Sequence, residues 1–384
     1  MKVLFGKTLS DDRLPVKNCT GCGACFAACD KKAIAIRVSG DGFYRPQVGE
    51  NCVRCGKCRS VCPALTVPRT SKLCDIFAAQ AKDDFMLEKA SSGGVSPVLA
   101  RLFSAQGYKL CGVRYDARQG RAEHFIAASF DEFTDAYGSK YLQSYTAEAF
   151  RKVISDGGKY FVVGTPCQIA GLRKAAELCR RGGDIFFVDF WCHGVPSLKL
   201  WRTFLLAQHL DNGFVTARWR DKERHGWYNG YCVVLESEKR CIYSKAYLKG
   251  ELYTRHFIRS SCVNMPCMNC PFDAEHSAAD IRIGDFWSER FATSRGVSKV
   301  AVLTERGKEA WQRAEREIAT LPISDQERED VRMLNCGNRF APRGVERSVF
   351  IWCLSRWNGF RLAHVWHLAW VACRRLKGVF KCER

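Results

Sequence analysis

Between about residue 72 and residue 330, short apolar runs alternate with glycine-bearing turns and amphipathic segments. Residues 159–163 and 184–188 each carry four consecutive apolar residues after a single charged one, and each is followed by a Gly, Pro or Ser turn. They predict two buried strands leading into helices that begin near Gln168 and Leu198. Strand-like runs recur at 231–235 and 281–283, and the apolar run at 95–103 reads as a helix. Residues 304–319, rich in Glu, Arg, Lys and Ala, read as a helix with one charged face. Strand followed by helix, repeated, predicts an α/β domain with some parallel pairing. From about Val349 the pattern changes: Leu362, Val365, Trp366, Ala369, Cys373, Leu376 and Phe380 recur at helical spacing among basic residues. That stripe predicts a helical tail which either packs onto the main domain, the simpler expectation, or lies on an anionic membrane surface. No apolar run reaches the roughly 18 residues of a spanning helix.

Ahead of this region, residues 10–70 are cysteine-rich and internally duplicated. Cys19, Cys22, Cys25 and Cys29 recur 33 residues later as Cys52, Cys55, Cys58 and Cys62. This is the bacterial ferredoxin run, in which three thiolates hold one [4Fe–4S] cluster and the fourth reaches across to the other. Three cysteines on a loop curling round a cube present three sulfurs to three irons. The fourth, starting a helix, is carried away to the partner cube. Cys19, Cys22, Cys25 and Cys62 are therefore expected to hold one cluster, and Cys52, Cys55, Cys58 and Cys29 the second. Gly21, Gly23, Ala24 and Gly56 suit a backbone pressed against a cluster. Structural zinc uses cysteine pairs separated by a longer loop, without a third cysteine at the same spacing. One departure stands out: Cys62 is followed by Pro63, but Cys29 by Asp30, which bears on the exposure and potential of one cluster. The segment 68–71 reads as a linker.

Sixty basic residues against forty acidic ones leave a net charge of +20. The excess calls for an acidic partner. Because the basic residues are scattered and no nucleic-acid module is present, no nucleic-acid partner is expected. A 47% apolar and 26% charged composition excludes wholesale disorder. Clustered spacing among 22 cysteines points to metal or redox sites in a reducing compartment. Residues 1–10 lack the features of a secretion signal, so a cytoplasmic location is the expectation.

Five further segments, in order, resemble the beta-subunit family of coenzyme F420 hydrogenases and dehydrogenases. They are Ser91-Ser92-Gly93-Gly94-Val95; Gly138-Ser139-Lys140-Tyr141; Gly164-Thr165-Pro166-Cys167-Gln168 with Gly171-Leu172; Cys192-His193-Gly194-Val195-Pro196-Ser197; and residues 280–287, Asp-Ile-Arg-Ile-Gly-Asp-Phe-Trp. The resemblance covers 15 to about 310. It implies FAD beside iron–sulfur clusters, with hydride exchanged with a soluble carrier or substrate. It also implies a cysteine group able to hold a third [4Fe–4S] cluster. Cys192, Cys267 and Cys270 are its expected ligands, and Cys167 and Cys262 compete for the remaining place. Buried structural thiols are the alternative.

Read as residues, Ser91, Ser92, Gly93 and Gly94 form a turn at a helix N-terminus that offers N–H groups to a phosphate, or simply an N-cap. Thr165 and Pro166, between a strand and a helix, occupy a similar position. Lys140 adds a cation or is a surface lysine, and Tyr141 adds a ring face. Cys167 at a helix start is expected to have a lowered thiol pKa. Asp280 and Asp285 bracket a strand, and Asp285 is placed to bind a ribityl hydroxyl or to cap a turn, with Trp287 able to stack on a ring. His193 is a candidate proton donor; no catalytic residue is otherwise assigned. Cys74, Cys111, Cys179, Cys336 and Cys373 read as packing residues.

The expected fold class is α+β and α/β: a dicluster ferredoxin-like domain (10–70), a mixed α/β flavin-binding region in two parts (72–155 and 156–330) and a basic helical tail (331–384). The expected function is an iron–sulfur flavoprotein oxidoreductase, with a non-catalytic electron-transfer subunit as the alternative. Its expected partners are the deazaflavin coenzyme, a ferredoxin or a flavodoxin, subunits of a redox complex, and a membrane surface touched by the tail.

Overall fold

The computed structural model describes Leu14 and residues 18–67, 75–210, 215–272, 276–332, 344–356 and 358–379. The linker at 68–71, Cys74, Cys336, Phe380 and the side chain of Leu376 lie outside the described residues.

In the duplicated segment, α1 (Ala24–Ala27) is followed by the antiparallel pair β1 (Ile34–Val38) and β2 (Tyr44–Val48), then by α2 (Lys57–Ser60). Gly23 and Gly56 open the two helices, each at φ 79°. At Gly23 a side chain is doubly excluded, because a Cβ would also lie 2.0 Å from the Thr146 hydroxyl.

The remainder is built on one eight-stranded sheet. In chain order its elements begin with β3 (Asp75–Ala81), α3 (Asp84–Lys89), α4 (Val95–Ser104), β4 (Lys109–Asp116) and β5 (Arg121–Ala127). Next come α5 (Ala147–Ser155), β6 (Tyr160–Val163), α6 (Pro166–Leu178), β7 (Ile185–Phe190) and α7 (Leu198–Ala207). A separate three-stranded antiparallel sheet follows, with β8 (Thr216–Arg220), the short α8 (Lys222–His225), β9 (Tyr231–Ser237) and β10 (Arg240–Ala246). After α9 (Leu252–Ile258), β11 (Ile281–Asp285), β12 (Ser298–Val302), α10 (Glu305–Ala314) and β13 (Ile318–Leu321) complete the main sheet, and α11 (Asp325–Arg332) follows it.

The strand order is β13-β3-β12-β11-β7-β6-β4-β5, with β11, β7, β6 and β4 mutually parallel and the outer pairs antiparallel. Alternation explains the apolar runs. Tyr160, Val162, Ile185 and Phe187 face α5 and α6, while Phe161, Phe186 and Val188 face α4 and α10, so the central strands are buried on both sides. Between β7 and β11, Arg282 and Asp189 form a fully buried two-pronged pair at 2.7 and 2.8 Å, and Ser277 donates to the same carboxylate. Because β3 pairs with β12, the boundary expected near 155 runs through a shared sheet. The helix expected over 304–319 stops at Ala314: Ile318 is buried and pairs with Ala81 on β3, so sheet pairing overrides the helix-forming composition.

Two last helices, α12 (Gly344–Leu354) and α13 (Gly359–Val379), pack on each other and on α7. The buried face of α13 is Phe360, Ala363 and His367, whereas Leu362, Val365 and Ala369 of the expected stripe are exposed, as is Cys373. The face is rotated because the groove beneath it holds His256 of α9. His256 Nε2 lies 3.2 Å from His364 Nδ1, and its Nδ1 lies 3.1 Å from the Ser261 hydroxyl. Buried Glu346 of α12 approaches His367 at 3.7 Å. Among the described residues no helix is long and apolar enough to cross a membrane.

Burial holds all three imidazoles below their ordinary pKa, His367 at about 4, and Arg255 and Arg259 add repulsion. A group neutral in the fold but protonated when unfolded removes stability as pH falls. Melting of the tail should therefore shift to lower temperature as pH drops from 6.5 toward about 4. His367→Leu should flatten that slope in pH-dependent melting with proteolytic readout; a flat profile in the unsubstituted protein would refute the account.

Candidate redox site

The first cysteine box closes on itself as its spacing requires. Cys19, Cys22, Cys25 and Cys62 line one cavity with Gly21, Gly23 and Leu14. The second group is assembled around Cys58, which feels the charges of Cys29, Cys52 and Cys55. Cys62 thus lies with the first box, and Cys29 is within electrostatic reach of the second. Cys58 also acts on Cys25, so the groups are neighbours. Backbone N–H groups of Gly21 and Ala33 donate to Cys19 Sγ and Cys29 Sγ at 3.3 and 3.4 Å. Asp30, where a proline was expected, accepts from Lys57 and ties the turn after Cys29 to α2.

This loop is held against the main domain through its own backbone. Gln143 donates to the Thr20 carbonyl at 3.0 Å and accepts from Tyr44 N–H at 2.7 Å. Thr146 donates to the Cys22 carbonyl at 3.0 Å, and Arg151 to that of Phe26 at 2.9 Å. Beneath them α6 passes close enough that a Cβ on Gly171 would lie 2.7 Å from Ala24 Cβ and 3.1 Å from Cys22 Sγ.

On the far side of Thr20 lies a second cavity, walled by Cys167, Cys192, Cys267 and Cys270 and floored by Phe272. Thr20 lines both cavities. Of the five competing cysteines it is Cys167 that joins the group. Cys262 instead is buried in the apolar core beside Phe43 and Trp201. Thr165 and Pro166, expected to touch a nucleotide, wall this cysteine cavity, with the Thr165 hydroxyl 3.3 Å from Cys167 Sγ. The expected acidification of Cys167 is reversed: burial pushes its thiol pKa up, overriding the Thr165, Thr20 and helix N–H contacts that lower it. Burial also pushes Cys267 to about 12. The Gly194 N–H donates to Cys192 Sγ at 3.3 Å. Cys179, exposed at the end of α6, is not a packing residue, whereas Cys111 is buried. Among the described residues no three His, Cys, Asp or Glu side chains converge as ligands of a single ion. The four-thiol cavities are wider sites.

A polar and aromatic site lies along the same edge. Cys167 follows β6, Cys192 follows β7, Asp285 ends β11, and Ser298 opposite Asp285 holds the Gly93 N–H at 2.9 Å. These are the carboxyl ends of the parallel strands and their neighbours, where open α/β sheets bind ligands. At about 4.8 Å per strand, the row from β3 to β6 spans on the order of 20 Å. At its β3 end, Gly94 (φ 78°) precedes α4 with no side-chain cap. Ser91 accepts from Ser139 N–H at 2.6 Å and Ser92 donates to the Val297 carbonyl at 2.8 Å, so both hydroxyls shape the turn. Lys140 does not offer its charge outward: its ammonium donates to the carbonyls of Asp135, Tyr137 and Gly138. Lys222, which sequence reasoning missed, donates to the Ser92 and Leu87 carbonyls. Burial brings both amines down to about 7.

Asp285 pairs with buried Arg220 at 2.9 Å and accepts from Trp227. Arg220 lies over Tyr231 and Trp287, and Trp287 stacks on Trp227 at 5.2 Å. One face of Tyr141 is covered by Phe257. His193 feels both Lys299 and Asp285, and Lys299 sits 4.6 Å over Trp191. Asp280, at the opposite end of β11, is a buried knot accepting from Phe187 N–H, Thr304 and Arg173, remote from this edge. Arg220, Trp227 and Lys222 were invisible as a set because two elements of the small sheet carry them to Asp285 from about 60 residues away.

Comparison with known proteins agrees with this division. Residues 18–65 match the 4Fe-4S dicluster domain, and residues 157–326 match the C-terminal region of the coenzyme F420 hydrogenase/dehydrogenase beta subunit. The chain is thus similar to that beta-subunit family over its C-terminal region and to dicluster iron–sulfur domains at its N-terminus. An uncharacterised protein of Methanocaldococcus jannaschii is 28% identical over 194 residues, covering 42% of this chain and 54% of the relative. The chain thus spans about half the length of that curated relative. A chain of the F420-reducing [NiFe] hydrogenase complex from Methanosarcina barkeri aligns at 18% identity with a TM-score of 0.47, over 69% of this chain and 91% of that one.

The dicluster segment and the beta-subunit-like domain meet at Gly171, which makes that residue a sensitive probe. Gly171→Val should destabilise the protein by about 1–3 kcal/mol through overpacking and lower the iron content of the first box, with Gly171→Ala milder. Thermal melting and iron assay check this; an unchanged melt with full iron would contradict the packing.

Proposed function

We propose that this iron–sulfur redox protein is a flavin-dependent oxidoreductase. Cys19, Cys22, Cys25 and Cys62 hold one [4Fe–4S] cluster; Cys52, Cys55, Cys58 and Cys29 hold the second; Cys167, Cys192, Cys267 and Cys270 hold a third. The observation that carries the reading is Thr20, a single residue forming a wall of two four-cysteine cavities on the way from the sheet edge to the surface.

The residues at the β3–β11 edge fit FAD in kind. An uncapped helix start suits a phosphate, and Asp285 with the Trp227–Trp287 stack suits a ribityl chain and a ring. A flavin held there would supply the chemistry of accepting a hydride from a two-electron donor and dividing it into two single electrons and one proton. The chain's own residues do the positioning. Arg220 fixes the Asp285 carboxylate, Ser298 and Ser139 fix the turn, and Gln143 and Thr146 fix the first cluster loop against the third. The electron donor that suits a basic chain is a soluble acidic carrier such as the deazaflavin coenzyme.

Purification without oxygen should give about twelve irons per chain, against about eight for two clusters alone, together with FAD. Cys167→Ser should remove about four of those irons, while Cys262→Ser removes none. Zinc in place of iron, or a colourless protein, sinks the reading. Clusters without any flavin would favour the non-catalytic electron-transfer subunit.

A further inference from the structure

The two cysteine boxes share one backbone plan and differ sharply in what surrounds it. Gly21, Ala24 and Phe26 of the first box are buried. Their counterparts 33 residues on are Arg54, Lys57 and Arg59, all exposed. Arg54 holds the left-handed conformation of Gly21, with φ 53° against 74°. That conformation is disfavoured for a non-glycine residue, so a cation stands at the mouth of the second box against backbone preference. Thr20, between the two cavities, corresponds to Val53, which is 61% exposed.

Lys57 reaches Asp30, which brings exposed Lys31 and Lys32 to the same face. Lys57 also feels Cys179, which brings exposed Leu178 and Arg180 at the end of α6. The acidic groups nearby are Asp30, already paired, Glu50 and Glu177. Cys55 itself is exposed. The result is a face with exposed Val53 and several exposed cations over the second cysteine group, whose Cys55 is itself exposed.

We infer that this face docks an acidic one-electron carrier protein and that the Cys52–Cys55–Cys58–Cys29 cluster exchanges electrons with it. The inference rests on the proposed clusters. Each encounter moves one electron: the cluster loses one and the carrier's centre gains one, or the reverse, so two encounters match one hydride. Complementary charge raises the encounter rate, and exposed Val53 offers the short-lived complex an apolar contact.

The test uses the full-length protein, reduced chemically, mixed in stopped flow with an oxidised acidic bacterial ferredoxin and, separately, with oxidised methyl viologen, a cationic small mediator. Lys32→Glu with Arg54→Glu should slow the ferredoxin reaction about tenfold or more at low salt and flatten its salt dependence. The viologen reaction should not slow, and iron content should be unchanged. If the Glu pair loses iron, Lys32→Gln with Arg54→Gln takes its place, with a smaller loss expected. An unchanged ferredoxin rate in an iron-replete variant overturns the docking face alone. Absence of iron from the unsubstituted protein overturns the cluster reading instead.

Discussion

Everything downstream depends on holding a short, side-chain-poor loop rigidly between two cysteine cavities. The loop from Cys19 to Cys25 has little apolar bulk with which to anchor itself, so the main domain holds its backbone. Carbonyls of Thr20, Cys22 and Phe26 accept from Gln143, Thr146 and Arg151. Asn264 adds a longer contact to Thr20 and is itself held by Arg45 at 2.7 Å. These donors come from α5, the strand-to-helix loop before it and the segment after α9, so a change in any of them moves one cavity relative to the other. Electron transfer weakens steeply with distance, which makes this docking, more than either cavity alone, the feature on which redox function turns.

A second constraint is the direction of the parallel strands. Because β11, β7 and β6 run the same way, their following loops emerge together. Cys192, Cys167 and Asp285 thereby share an edge although they lie far apart in sequence. The buried Arg282–Asp189 pair joins β7 to β11 just behind that edge, and a buried pair that loses one partner typically costs 3–5 kcal/mol. The cysteine cavity and the polar, aromatic site therefore stand on one stiff support.

Much of this was legible in the residues. The duplicated spacing pointed to the 4Fe-4S dicluster segment, because the reach of a ferredoxin loop is set by covalent geometry and a few glycines. The alternating apolar runs gave the central strands and α4, α6 and α7, since burial on two faces leaves little choice of residue. The end of α10 and the buried face of α13 were misread, because an exposed edge pairing and a groove filled by histidines are decided by neighbours distant in sequence.

By itself, the amino-acid sequence determined that a dicluster iron–sulfur segment stands at the N-terminus and that a strand–helix domain follows. Only the tertiary structure decided between Cys167 and Cys262, turned Lys140 inward, and brought Arg220, Lys222 and Trp227 to the sheet edge. The reason is physical: ligand spacing within one loop is a local property of the chain, whereas which thiol faces a cavity depends on how strands and helices pack against one another.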